Sequence, residues 1–346
     1  MTGSIDAWAI AGKLLALAAL AAAISAGLMV LLRPLLARYA MARPNARSSH
    51  LEPTPQGGGI AVIAAAVVVA AAAAVFMPAL VSDHRQLTIL FIAAVGLAIV
   101  GVTDDIRPLE AMPRLALQAA AVALVIYAVP AELRVIGVLP WWLERLLILL
   151  GGVWLVNLVN FMDGIDWMTV AEVTPITAAL AAFGLIGALP PDATLVAAGL
   201  CGAMLGFAPF NRPVARVFLG DVGSLPIGLL LGWLLLVLAG NGHLAAAALL
   251  PLYYLADATV TLLWRLFKGH SIMQAHRSHF YQQAVDAGRP VPQVIAGVFL
   301  LNLALAALAL AAILVPSRAF HIVLVAIGLV LVTLLLRSFA KGKKPT

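Results

Sequence analysis

Long apolar runs separated by short polar segments dominate this chain. Each run is close to the roughly 20 residues that cross a bilayer core. The pattern predicts an all-α polytopic membrane bundle of about 11 transmembrane helices, with residues 1–346 forming a single transmembrane domain. The predicted helices lie near residues 8–32, 58–80, 87–103, 113–129, 142–159, 168–190, 193–210, 223–240, 243–264, 292–315 and 319–337.

Composition agrees with a membrane protein, since 64% of the 346 residues are hydrophobic, 10% are charged and the mean hydropathy is +1.07. The net charge of +6 is attributed to basic cytoplasmic loops, so no nucleic-acid partner is predicted. Segment 131–142 is too polar to span and predicts a small hairpin or an interfacial piece, with Trp141 and Trp142 at the headgroup level.

The basic residues predict the orientation. With the N-terminus outside and an odd number of spans, most of the 21 Lys and Arg fall on the cytoplasmic side, as does the "KGKK" tail. Five loops then share that face, and they carry the polar, acidic and Gly-rich features. This one-sided chemistry favours an enzyme at the inner surface of the cytoplasmic membrane. The loops are 40–57, 104–112, 160–167, 211–222 and 265–291.

Paired acids, Asp104 and Asp105, end the third apolar run. Adjacent carboxylates repel each other unless a cation lies nearby, and Mg²⁺ typically takes one or two carboxylates plus substrate phosphate. A solvated helix end is the alternative interpretation. Residue 108 is Pro, so the DDxxD pattern of soluble prenyl diphosphate synthases is absent.

The segment "NLVNFMDGIDWM" (157–168) spaces Asn157, Asn160, Asp163 and Asp166 three residues apart, which on a helix would form one polar stripe. Such amides and carboxylates can bind a nucleoside or the water shell of a metal, and Gly164 is expected to end or bend the helix. A plain polar helix end is the alternative. The DGxxAR pattern of CDP-alcohol phosphotransferases is missing.

Two Gly-rich segments precede apolar runs, where a helix N-terminus attracts phosphate. "FNRPVARVFLGDVGSLPIG" (210–228) contains Asp221 and also Phe218, an aromatic that could stack on a base. "RSSHLEPTPQGGG" (47–59) adds the positive charge of Arg47 and His50. A structural Pro/Gly turn is the alternative for the second segment.

The last polar loop reads "QAHRSHFYQQA" (274–284). Arg277 can clamp a phosphate in a bidentate way, and His276 and His279 can donate to phosphate oxygens. Zinc is disfavoured, because no Cys or acid stands near the two histidines. Asp257 lies inside the ninth apolar run beside Tyr253, where an acid is either functional or paired with an Arg or Tyr.

Taken in order over residues ~45 to ~285, these loops resemble the polyprenyl-phosphate N-acetylhexosamine-1-phosphate transferases, glycosyltransferase family 4. The resemblance implies a Mg²⁺ cofactor, with Mn²⁺ as the alternative. It implies Asp221, Asp104 and Asp105 as metal ligands. Further catalytic residues would be Asp163, His276, Arg277 and His279, and substrate-binding residues would be Asn160, Asp166, Asn211, Phe218, Arg47 and His50.

Two features refine the resemblance. "HRSHFYQ" is more similar to the branch that initiates O-antigen and common-antigen synthesis than to the muramoyl-pentapeptide branch, which has three consecutive histidines. Trp167-Met168 replaces the commoner Gly-Leu, which implies an altered sugar-nucleotide pocket.

The implied reaction transfers an N-acetylhexosamine 1-phosphate from a UDP-sugar to undecaprenyl phosphate, releases UMP and begins cell-surface glycan synthesis, such as that of lipopolysaccharide. Either Asp104 or Asp105 takes a proton from the lipid phosphate, or a covalent phosphosugar–Asp intermediate forms. The sugar (GlcNAc, FucNAc or QuiNAc) and a homodimeric state stay open. A proton-coupled transporter that uses intramembrane acids and a lipid-binding scaffold are the rival functions.

Overall fold

The computed structural model describes residues 2–42, 53–270 and 276–341, and these are almost entirely helical. The predicted all-α membrane class is confirmed. A short antiparallel pair joins β1 (Met41–Ala42) to β2 (Thr54–Pro55). The helices are α1 (Thr2–Tyr39), α2 (Gly59–Phe76), α3 (His84–Ile106), α4 (Ala111–Ala128), α5 (Trp141–Met162), α6 (Met168–Leu185), α7 (Pro191–Phe207), α8 (Asp221–Leu238), α9 (Leu244–Leu249), α10 (Leu252–Phe267), α11 (Phe280–Asp286), α12 (Val291–Leu314) and α13 (Arg318–Ala340).

Within those described ranges, nine helical segments are long and apolar enough to cross a membrane. Each predicted apolar run coincides with helical structure. However, α7 is shorter than the nine spanning segments, and the helix in one predicted run is interrupted. The number of crossings near 11 and the outside position of the N-terminus therefore stay predictions.

The broken run is the one predicted at residues 243–264. Gly242, which lies just before this run at the predicted boundary, has φ 91°, a left-handed conformation, and separates α9 from the preceding helix. Pro251 then separates α9 from α10, because proline has no backbone N–H to continue a helix. A Cβ atom at Gly240 would lie 2.2 Å from Leu133 Cδ2, so this glycine allows the α4–α5 connection to pack against the chain just after α8.

The centre of the bundle is formed by α7 and α8, in which most residues are buried. Outer helices expose large apolar side chains, among them Leu31 on α1, Tyr127 on α4 and Ile322 on α13. A helix that is apolar all round is either buried in protein or faces lipid, and this molecule contains both kinds.

Described parts of all five polar loops lie at one end of the bundle, which we call the site end. The site end comprises the β1–β2 pair, the α3–α4, α5–α6 and α7–α8 connections and residues 276–290. Contacts join these segments: Phe218 N–H donates to the carbonyl of Pro55, and Ala215 N–H donates to Asp166 Oδ2.

Two local features differ from simple loops. The β1–β2 pair lies within the segment predicted as loop 40–57. Residues 131–140 form turns rather than a strand hairpin, and Trp141 and Trp142 are exposed at the start of α5, as an interfacial position requires.

Candidate functional site

The N-terminus of α8 is capped by a side chain from α3. Asp105 Oδ1 accepts a hydrogen bond from the N–H of Asp221 (3.1 Å), and its Oδ2 accepts one from the N–H of Val222 (3.2 Å). The Asp105 carbonyl accepts a bond from Gln56 Nε2 at 2.9 Å. Because a helix N-terminus favours a carboxylate, Asp105 fixes the position of Asp221.

A glycine makes this close approach of α3 and α8 feasible. A Cβ atom at Gly101 would lie 2.4 Å from the carbonyl oxygen of Asp221 and 2.4 Å from the nitrogen of Val222. Any larger residue at this position would therefore push the start of α8 away from Asp105.

Asp104 and Asp221 meet beside a guanidinium group. Arg114 Nη1 donates to Asp104 Oδ2 at 2.7 Å and lies 3.8 Å from Asp221 Oδ2. Asn160 Nδ2 donates to Asp221 Oδ1 at 2.8 Å. The Asp221 side chain is 27% exposed and that of Asp104 is 8% exposed. Asp221 is therefore the acid of this cluster that reaches solvent, together with Arg114, whose side chain is 26% exposed.

The two helix N-termini predicted to attract phosphate are already bonded. The N–H groups at the start of α8 donate to Asp105, so the anion at that terminus is a side chain of the protein. At the start of α2, Gly58 and Gly59 donate to the carbonyls of Phe218 and Leu219. Phosphate binding at these two termini stays a prediction, and in this arrangement their first N–H groups already have protein acceptors.

The predicted stripe from Asn157 to Asp166 is interrupted, because α5 ends at Met162. Asn157 donates to Gln118 on α4 at 2.6 Å, whereas Asn160 faces α8. Asp163 lies at the end of α5 and accepts a hydrogen bond from Thr169. Burial in the protein is the main cause that raises the pKa of Asp163 to about 7, and the nearby charges of Asp105 and Asp166 raise it further. The hydrogen bond from Thr169 lowers this pKa and offsets part of the shift.

Beyond the helix, two predicted substrate residues join neighbouring loops. Asp166 Oδ2 accepts a bond from Ala215 N–H at 2.9 Å, and Asn211 Oδ1 accepts one from Trp167 N–H at 2.8 Å. The Trp167 indole N–H donates to the carbonyl of Ala208 at 2.6 Å. Asp166 and Asn211 thus hold the α5–α6 and α7–α8 connections together.

Trp167 also has φ 62° and ψ 1°, a left-handed conformation that is unfavourable for a residue with a side chain. Trp167 therefore stands, in place of the commoner glycine, at a position where glycine would adopt the backbone conformation without strain. The indole and backbone hydrogen bonds offset part of that strain.

The predicted histidine–arginine loop packs beside the same end of α5. Arg277 Nη2 forms an ion pair with Asp286 Oδ1 at 2.8 Å, and His276 Nδ1 lies 2.9 Å from Ser278 Oγ. His279 is only 2% exposed, with its ring 5.0 Å from that of His276. Burial therefore favours a positioning role for His279 over the direct phosphate contact expected from the sequence.

Two residues with expected roles in substrate binding, Arg47 and His50, lie outside the described residues. Phe218 is half-buried, and its backbone bridges to Gln56 next to β2. The structure thus brings Asp104, Asp105, Asn160 and Asp221 into one cluster, with Asp163 and the 276–279 loop next to it.

Sequence reasoning missed the partners that hold this cluster. Arg114, which contacts both Asp104 and Asp221, and Ser224, which accepts from Asn160 at 2.9 Å, were not among the predicted site residues. The sequence signal that could have identified Arg114 is its position in the first helical turn after the paired aspartates, where a cation can reach them.

The donor chemistry of the cluster fits Mg²⁺, which prefers oxygen ligands and often takes two protein carboxylates plus substrate phosphate. Asp104 and Asp221 both lie close to the Arg114 guanidinium, a cation that offsets the repulsion between neighbouring carboxylates. Over residues 2–42, 53–270 and 276–341, no three His, Cys, Asp or Glu side chains could hold a metal ion. The cluster therefore fits a Mg²⁺ site in which substrate phosphate supplies the remaining ligands. Both oxygens of Asp105 cap α8, so a positioning role suits this residue better than the predicted role of metal ligand.

Comparison with known proteins agrees with this geometry. Residues 87–239, which span α3 to α8 and include Asp104, Asp163 and Asp221, match the family model of Glycosyl transferase family 4.

Curated relatives extend the similarity. Decaprenyl-phosphate N-acetylglucosaminephosphotransferase of Mycolicibacterium smegmatis is 29% identical over 297 residues, 75% of this chain and 72% of the relative. The protein of the same name from Mycobacterium tuberculosis is 28% identical over the same shares. Phospho-N-acetylmuramoyl-pentapeptide-transferase of Rhodopseudomonas palustris is 30% identical over 170 residues, 43% of this chain and 45% of the relative.

The helical membrane fold and the acid cluster, with these similarities, define a membrane enzyme of the sugar-phosphate transferase class. Within that class, the match of residues 87–239 and the named relatives support the superfamily of polyprenyl-phosphate hexosamine-1-phosphate transferases. The resemblance inferred from the five loops is thereby confirmed, and the transporter and scaffold alternatives are set aside.

Proposed function

We propose that this protein transfers N-acetylhexosamine 1-phosphate from a UDP-sugar to a polyprenyl phosphate in a Mg²⁺-dependent reaction. An oxygen of the lipid phosphate attacks the β-phosphorus of the UDP-sugar, and the bond to UMP breaks. The products are UMP and a polyprenyl-diphosphate sugar. The observation that carries the proposal is the meeting of Asp104 and Asp221, from two separate helices, at a solvent-accessible point beside Arg114.

In this reaction Asp221 and Asp104 would hold Mg²⁺, which neutralises diphosphate charge when bound. Asn160 orients the Asp221 carboxylate through its 2.8 Å hydrogen bond, and Asp105 holds the backbone from which Asp221 projects. Arg277 meets a phosphate group by exchanging its Asp286 partner for the ligand.

Asp104 is compatible with two routes, acceptance of the lipid phosphate's proton or formation of a phosphosugar–Asp intermediate. Asp105 suits neither, because both of its oxygens accept backbone N–H bonds. Incubation with UDP-[³²P-β]-sugar alone, followed by acid quenching, separates the routes, since only the second leaves label on the protein.

N-acetylglucosamine is the sugar we propose first, because relatives named for its phosphotransfer align over 75% of this chain. Muramoyl-pentapeptide relatives align over 43% or less. The acceptor is a polyprenyl phosphate, with decaprenyl and undecaprenyl chains both to be tested.

The decisive experiment incubates purified protein with Mg²⁺, decaprenyl or undecaprenyl phosphate and a panel of UDP-N-acetyl sugars, and measures UMP by chromatography. UMP release that needs both the lipid and one of the sugars supports the proposal. The absence of UMP with every donor, from protein that is monodisperse and thermally stable, would overturn it.

We further propose that the site end faces the cytoplasm, as the distribution of basic residues favours. Val214 at the site end and Val138 at the opposite end are both largely exposed, at 78% and 91%. In a Cys201→Ser background, an impermeant maleimide on intact cells should label Val138→Cys but not Val214→Cys until the cells are opened. The reverse pattern would contradict this orientation.

A further inference from the structure

Asp257 is a buried acid on α10 that the proposed reaction does not use. Its residue is 0% exposed, yet it lies among donors from two separate segments. Within α10, Tyr253 Oη donates to its Oδ2 at 3.2 Å and Thr261 Oγ1 to its Oδ1 at 3.3 Å. The expectation that this acid pairs with a tyrosine is therefore met, but the contact is only part of its environment.

The other donors belong to the histidine–arginine loop. The backbone N–H groups of Phe280 and Tyr281 donate to the two Asp257 oxygens at 3.0 Å and 3.3 Å. His279 Nδ1 lies 3.3 Å from Asp257 Oδ1. One carboxylate thus accepts from the first backbone N–H groups of α11 and contacts the histidine that precedes that helix.

This contact fixes the loop relative to the rest of the site. The His279 ring stacks on the Tyr281 ring, with centroids 5.8 Å apart and planes 14° apart. Tyr281 Oη in turn donates to the carbonyl of Phe161, at the end of α5 and two residues before Asp163. A chain of contacts therefore runs from the Asp257 carboxylate through the start of α11 to the α5–α6 connection.

We propose that Asp257 and His279 form a buried positioning pair, which sets the start of α11 and thereby aims His276 and Arg277 at substrate phosphate. The inference rests on the proposed function, because it assigns phosphate to that loop. His276 and Arg277 directly precede the anchored residues, so a shift of His279 moves both of them.

Glu144 provides a matched control at the opposite end of the molecule. It is also a buried acid, 1% exposed, and its Oε1 accepts the backbone N–H groups of Val135 and Ile136 at 2.7 Å and 2.8 Å. Both Glu144→Gln and Asp257→Asn thus remove a buried carboxylate that accepts two backbone N–H bonds. Glu144 lies far from the site, whereas Asp257 lies next to it.

Hydrogen exchange tests the contact without any reaction. Asp257→Asn should speed exchange at Phe280 and Tyr281 about ten-fold and leave Val135 and Ile136 unchanged, because a lost cap opens the backbone locally. Glu144→Gln should show the reverse pattern. Unchanged exchange at Phe280 and Tyr281 in Asp257→Asn would overturn the pairing.

A double-mutant cycle tests the positioning role. Asp257→Asn should lower kcat about 10- to 100-fold, as loss of an outer-shell partner does, whereas Glu144→Gln should keep kcat within about two-fold. If Asp257 acts through His279, the Asp257→Asn/His279→Ala double variant should turn over like His279→Ala alone. Additive losses, or wild-type kcat in Asp257→Asn, would contradict the proposal.

Two safeguards keep the outcomes separate. Should Asp257→Asn fail to fold, Asp257→Glu, which keeps the charge but displaces it by one methylene, takes its place in the cycle with the same expectations. Failure of the wild-type protein to release UMP from any donor would refute the proposed function, while hydrogen exchange would still decide on the Asp257 contact.

Discussion

The two ends of the bundle both bury acids, but they use them differently. At the end opposite the site, Glu144 is fully partnered: Oε2 binds Arg134, and Oε1 accepts two backbone N–H bonds. At the site end, Asp221 is 27% exposed and shares the Arg114 guanidinium with Asp104. Burial of an acid therefore does not by itself mark a site.

What marks the site end is a group of close acids, of which one, Asp221, reaches solvent. Partnered acids such as Glu144 hold a loop in place, since the carboxylate satisfies backbone N–H groups that would otherwise be buried without a bond. Clustered acids repel each other and are held together by the fold, so they favour a divalent cation or a proton.

The largest effect should separate the two ends directly. Asp221→Asn should lower turnover about 100- to 1,000-fold or more, because it removes a carboxylate ligand of the Mg²⁺ that would stabilise the transition state. Glu144→Gln should lower thermal stability yet keep turnover within about two-fold per folded molecule. The measurement is UMP release at matched protein concentration, and near-normal turnover by Asp221→Asn would break the distinction.

A smaller effect is expected at Asp105, which combines both roles. Asp105→Asn should cost about 1 to 2 kcal/mol of stability, because the amide is a weaker cap for α8. Turnover should fall about ten-fold, because Asp221 then loses its fixed position. Thermal melting and UMP release are measured on one sample, and a stability loss with unchanged turnover would make Asp105 purely structural.

The smallest effect compares backbone strain at the two ends. Trp167 and Gly242 are both left-handed, at φ 62° and 91°. Trp167→Gly should be more stable than Trp167→Ala by about 1 kcal/mol, and Gly242→Ala less stable than wild type by a similar amount.

The Trp167 variants should also change the KM for the UDP-sugar, whereas Gly242→Ala should leave it unchanged. Equal stabilities of Trp167→Gly and Trp167→Ala in denaturant titrations would exclude left-handed strain at the site end.

Much of the fold was predictable because membrane helices depend on local apolar runs, and the runs at α2, α5 and α12 appear where expected. The acids of the site were predictable as residues, since carboxylates are rare in such a chain. Their partners were not, because the Asp105 bond to the start of α8 joins residues 116 apart and leaves no local period.

The break in the ninth run shows a different limit. Pro251 was visible in the sequence, yet hydropathy averages across it and favours one continuous helix over 243–264. His279 was predicted as a phosphate contact from its residue type, and only its burial beside Asp257 favours positioning instead.

Binding of Mn²⁺, used as a paramagnetic substitute for Mg²⁺, tests most directly whether Asp104 and Asp221 form one cation site. Electron paramagnetic resonance titration with UDP present should show one site in wild type and in Glu144→Gln. The Kd should rise at least about ten-fold in Asp104→Asn and in Asp221→Asn, because each loses one carboxylate ligand. An unchanged Kd in Asp221→Asn, from folded protein, would contradict a shared cation site at the junction of α3 and α8.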